Sequence, residues 1–124
     1  MCVLPWQKRA VSDCFLIALL LNTFVRFFYP TVNHHLIEIL WLKIDIGHAL
    51  YFVACAYHPP NPKYPPVDFL TELMNGIDSV ISSYPSSTIV IAGDFNQLDT
   101  SRLNTDYGLL LQIEYVFVAP YRGD

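Results

Sequence analysis

The chain has 124 residues, enough for one small domain or part of a larger one. At 53% apolar it holds too much surface to bury for a disordered chain. The formal net charge is −4 and the seven Lys and Arg are scattered, so no basic patch points to nucleic acid. An acidic chain can still act on phosphodiesters if a divalent metal supplies the positive charge. Cys2, Cys14 and Cys55 form neither a metal-ligand pattern nor a disulfide framework. Reduced thiols weakly favour an intracellular setting, nuclear or cytoplasmic.

Residues 1–30 differ in character from the rest. Lys8 and Arg9 precede the apolar run Cys14 to Leu21, and Arg26 breaks the second apolar stretch, Phe24 to Tyr29. The first run is shorter than the roughly 20 residues a membrane-spanning helix needs. A basic start before a short apolar core resembles a signal peptide, but Asn22-Thr23-Phe24-Val25 is a poor cleavage site. A buried helix, or a segment outside the domain, is the alternative. The expectation is that residues 1–30 lie outside a domain covering residues 36–124, and that the chain is not a membrane protein. His34 and His35 are adjacent, so on a strand they cannot share a face as metal ligands.

From Leu36 the pattern is regular. Ile37 to Ile44 alternates in part and predicts a strand. Asp45-Ile46-Gly47-His48 supplies turn chemistry, and Ala49 to Tyr57 predicts a second, more apolar strand, making a hairpin. His58 to Pro66 holds five prolines in nine positions and predicts a stiff, extended surface loop. Asp68 is a candidate cap for an amphipathic helix carrying Phe69, Leu70, Leu73, Ile77, Val80 and Ile81 on one face. Thr88 to Ala92 is a buried strand, so strand, helix and strand form a βαβ unit. Asn104-Thr105-Asp106 then caps a short helix through Leu109 to Leu111, and Tyr115 to Val118 is a last strand.

The βαβ unit places Tyr57-His58-Pro59-Pro60 and Gly93-Asp94-Phe95-Asn96 at one sheet edge, past the carboxyl ends of two strands. Open α/β sheets bind ligands there. Asp and Asn two positions apart are also ordinary turn residues, so spacing alone leaves that reading open.

These segments, with Glu38-Ile39-Leu40-Trp41-Leu42-Lys43-Ile44, Ile89 to Leu98 and Pro120-Tyr121-Arg122-Gly123, carry a likeness. The sequence resembles the endonuclease/exonuclease/phosphatase superfamily, and most of all the apurinic-type endonuclease domain of non-LTR retrotransposons. The likeness covers roughly Glu38 to Asp124. It implies part of a four-layer α/β/β/α sandwich, DNase I-like, with a mixed sheet. It also implies a DNA phosphodiester substrate and a Mg²⁺ or Mn²⁺ cofactor. Asp94 would orient or deprotonate the attacking water, Asn96 would donate to a phosphate oxygen, and the Tyr57 hydroxyl would contact the phosphate. His58 and Arg122 are further candidate substrate contacts.

The departures weigh equally. The family's metal-binding Glu lies upstream of the Trp-Leu-Lys-Ile strand, and residues 1–30 contain no glutamate. None of His34, His35, His48 or His58 matches the family's Ser-Asp-His segment. Glu38 falls where the family's stretch is structural and is not assigned; no metal ligand is named. The expectation is a partial domain of weak or no activity. Part of such a sandwich would leave an inner sheet face uncovered, open to self-association. A non-catalytic fragment and a small membrane-associated protein are the alternatives.

Overall fold

The computed structural model describes residues 24–28, 36–113 and 116–119. They form one mixed sheet of six strands and two helices, an α/β arrangement. The strands are β1 (Phe24–Phe28), β2 (Glu38–Asp45), β3 (Leu50–Tyr57), β4 (Thr88–Asp94), β5 (Leu110–Ile113) and β6 (Val116–Ala119). The helices are α1 (Pro66–Ser83) and α2 (Ser101–Tyr107). The sheet order is β1-β2-β3-β4-β6-β5. Only β3 and β4 pair in parallel, because α1 carries the chain back across the sheet between them.

The hairpin forms as expected. Ile46 donates its N–H to the Ala49 carbonyl at 3.1 Å, and Asp45 Oδ1 accepts from the Gly47 N–H at 2.8 Å. That turn fixes the register, so Asp45 faces Leu50 and Glu38 faces Tyr57. Side chains alternate across the sheet from there. Ile39, Trp41, Phe52, Ala54, Ile89 and Ile91 point to the helices and join Phe69, Leu73, Ile77, Val80 and Leu103 in one core. Val53, Cys55, Val90, Ala92, Val116 and Val118 point the other way and are half-buried, while Leu40 and Leu42 on that face are 1% exposed.

Three expectations need correction. Asp68 is not the cap of α1, which begins two residues earlier on Pro66. Proline at the first helical position is pre-organised and has no N–H to waste, and the Pro65 carbonyl accepts the Asp68 N–H at 2.9 Å. Second, Leu109 to Leu111 does not extend a helix. Gly108 takes the left-handed conformation at φ 66 and donates to the Asn104 carbonyl, which ends α2 and releases Leu110 into β5. Third, Phe24–Phe28 lies within the segment placed outside the domain, yet it pairs with β2 along its length, Phe24 to Asp45 and Phe28 to Trp41. Residues 1–23 lie outside the described residues. Among those described, no helix is long and apolar enough to cross a membrane.

Gly76 shows packing deciding a sign. Gly to Ala inside a helix ordinarily gains up to about 1 kcal/mol. A Cβ at Gly76 would lie 2.8–2.9 Å from the Trp41 indole, which is rigid and 3% exposed. Overpacking outweighs propensity, so Gly76→Ala should lower stability by about 1–3 kcal/mol in urea unfolding.

Candidate functional site

The site expected from the sequence lies where β3 and β4 end. Tyr57 and Asp94 are Cα partners in the parallel register, and Glu38 is the partner of Tyr57 on its other side. Three strands therefore present Glu38, Tyr57 and Asp94 in a row on the face opposite α1 and α2. Asp94 is exposed, and Glu38 and Tyr57 are half-buried. Neighbouring strands are spaced about 4.8 Å apart, which puts the backbones of Glu38 and Asp94 roughly 10 Å from one another. Sequence reasoning leaves Glu38 as a structural strand residue. The signal for its position is the hairpin turn: counting back from Asp45 and forward from Leu50 brings Glu38 opposite Tyr57.

Gly93 shapes the corner. Its φ is +154, and a Cβ there would collide with the Ala56 carbonyl oxygen and stand 2.7 Å from the carbonyl carbon. Glycine at this place lets β3 and β4 close together at the point where they end.

Beyond the strands, His58 is the hub. Its N–H donates to the Asp94 carbonyl at 2.8 Å, and its carbonyl accepts from the Asn96 side-chain amide. Its Nδ1 lies 3.0 Å from the Tyr64 hydroxyl, and its ring is 4.9 Å from that of Phe69 on α1. His58 is 4% exposed. The expectation of His58 as a substrate contact is therefore corrected: its ring is packed against Tyr64 and Phe69 instead of standing at the solvent edge. The proline-rich loop is corrected with it. The loop bends at Pro60-Asn61 and again at Lys63-Tyr64, and the buried Tyr64 ties it to the core instead of leaving it extended on the surface.

Asn96 adopts φ 48, a left-handed conformation that Asn tolerates better than most residues. Its backbone N–H donates to Asp94 Oδ1 at 3.1 Å. Asp94 is thus an oriented carboxylate at a solvent edge, chemically fit to accept a proton. The Tyr57 phenol can donate to an anionic oxygen. Arg122 lies outside the described residues. Arg102 turns its guanidinium to Asp106, 3.0 Å away on the surface of α2.

Burial lowers the His58 pKa from its ordinary 6.5, because the charged ring would lose its water. Burial pushes the Tyr64 hydroxyl up to about 12, aided by the negative charge of Glu38 and the nearby Tyr57. A histidine with a depressed folded pKa binds its proton first in the unfolded state. Its contribution to stability is full above pH 6.5 and is lost as pH falls below that value toward the folded pKa. The urea midpoint should drop between pH 7.5 and 5.5, and His58→Asn should remove most of that slope.

A Mg²⁺ ion takes hard oxygen donors, one or two carboxylates with waters and phosphate. Among the described residues no three of His, Cys, Asp and Glu come together to hold a metal ion. Asp94 has Oδ1 engaged by Asn96, and Glu38 stands on the far side of Tyr57. Among the described residues the edge offers one exposed carboxylate, Asp94, with Glu38 two strands away, and no group of three metal-ligating side chains.

A cleft of about 350 Å³ lies at the opposite end of the sheet, lined by residues that include Lys43, His48, Tyr84, Ser86 and Ser87. Its cation is already placed, with Lys43 Nζ 4.6 Å from the Tyr84 ring centroid and 3.4 Å from its hydroxyl. A second cleft of about 360 Å³, lined by residues that include Pro66, Leu70, Leu98 and Arg102, is as large, so size does not single out the first, which Asp45 also lines with its Oδ1 held by the Gly47 N–H. Searched against family models, curated proteins and solved structures, the chain matches no family model, no curated protein and no solved structure.

Proposed function

We propose that the edge formed by β3 and β4 is a phosphodiester-addressing corner of the endonuclease/exonuclease/phosphatase kind, with the DNA backbone as its ligand. The finer fold that goes with this reading is part of a DNase I-like four-layer sandwich. The observation that carries it is the register pairing of Tyr57 with Asp94 at the carboxyl end of a parallel strand pair. In this reading the Tyr57 hydroxyl donates to a phosphate oxygen and Asp94 faces the attacking water. In this reading hydrolysis by this chain is weak or absent, since among the described residues no group of three metal-ligating side chains gathers at the corner. Charge developing on a phosphoryl transition state needs a cation to offset it, and losing such stabilisation costs several powers of ten in rate.

The test is a fluorescence-anisotropy titration of a short labelled duplex at low salt. Tyr57→Phe should weaken binding about ten- to hundredfold, the value of one hydrogen bond to a charged group. Asp94→Asn should tighten it, since a carboxylate repels a phosphate. Supercoiled plasmid with Mg²⁺ should be nicked no faster by the wild type than by Asp94→Ala. Unchanged affinity in both binding variants overturns the reading. Rapid nicking abolished by Asp94→Ala overturns the weak-activity part of it.

A further inference from the structure

We infer that Asn96 is a positioning residue for Asp94, its side chain standing in for its own backbone N–H in the β3–β4 ladder. In a regular parallel pair, the residue whose N–H bonds to one carbonyl receives, at its own carbonyl, the N–H two positions further on. His58 donates to the Asp94 carbonyl, so the backbone N–H of Asn96 is the donor due at the His58 carbonyl. That N–H goes to Asp94 Oδ1 instead, at 3.1 Å, and the Asn96 side-chain amide takes over the His58 carbonyl.

The exchange has two consequences. A carbonyl on a residue that is 4% exposed keeps its partner, which avoids the cost of a buried unpaired acceptor. The main chain also leaves the sheet, at φ 48, while the released N–H fixes the direction of the Asp94 carboxylate. Few side chains meet all three requirements. Gly tolerates the conformation but has no donor; Asp matches the shape but its carboxylate only accepts. What Asp94 is positioned for rests on the phosphodiester reading; the bond exchange does not.

The experiment is NMR on the full chain labelled with ¹³C and ¹⁵N. A scalar coupling across the hydrogen bond, from the Asn96 side-chain nitrogen to the His58 carbonyl carbon, should be observed. Asn96→Gly and Asn96→Asp should each lose that donor and move the Asp94 carboxyl carbon signal, with Lys43 and Tyr84 at the opposite end unmoved. Absence of the coupling, or an Asp94 signal that stays in place in both variants, overturns the inference. The phosphodiester reading fails separately, through duplex affinities that ignore Tyr57 and Asp94 while these spectra still fix how Asp94 is held.

Discussion

Gly93→Ala should leave the chain without a cooperative unfolding transition. The added Cβ would meet the carbonyl oxygen of Ala56, and with it the Ala56 carbonyl carbon at 2.7 Å and nitrogen at 3.0 Å. These are backbone atoms of the neighbouring strand, so no rotamer change can make room. The conformation adds to the cost, because at φ +154 an L side chain is strained whatever the space. Steric and conformational terms together reach about 3–5 kcal/mol, comparable with the stability of a small domain. The collision falls on the only parallel pairing in the described sheet, one residue before Tyr57 and Asp94. Circular dichroism and a urea titration would show the loss. A variant as stable as wild type would mean that β3 and β4 do not approach this closely.

Phe52→Ala is the second large effect. Phe52 is fully buried in the middle of β3, and its ring lies 4.9 Å from both Phe28 of β1 and Tyr84 beyond α1. Truncation would lose the burial of a large side chain and leave a cavity that rigid neighbours cannot fill, about 3–5 kcal/mol. The loss should spread unevenly. In the described sheet β1 is an edge strand paired with β2, and Phe28 fastens it to the core through Phe52 at 4.9 Å and Tyr84 at 6.3 Å. Hydrogen exchange of the β1 amides should therefore accelerate more than that of β4. Equal acceleration in both strands would show that β1 does not depend on this contact.

Much of the fold is legible in the sequence because its signals are local. Alternation in Glu38 to Ile44, the turn at Asp45 to His48, the helical spacing from Phe69 to Ile81 and the run Thr88 to Ala92 each report a period or a breaker. The elements that escape depend on competition between local signals. Phe24–Phe28 continues an apolar run, so its period is hidden, and only pairing with β2 makes it a strand. Leu109 to Leu111 suits helix or strand equally; Gly108 decides the matter by ending α2. At the corner, the joint position of Tyr57 and Asp94 follows from the βαβ pattern. The inward turn of His58 does not, because it depends on Tyr64 and Phe69, residues whose approach no spacing reveals. Glu38 lies within reach of counting along the hairpin, yet its apolar neighbours give it the look of a strand residue and nothing more.

The most direct measurement is chemical-shift mapping of the full ¹⁵N-labelled chain, titrated with a short DNA duplex. If the β3–β4 edge addresses a phosphodiester, the shifts will gather at Tyr57, His58, Asp94 and Asn96, and Glu38 will move with them. The cleft around Lys43, His48 and Ser86 at the opposite end will stay still. Shifts confined to that cleft, or no shift at Tyr57 and Asp94 under saturating duplex, would contradict the account.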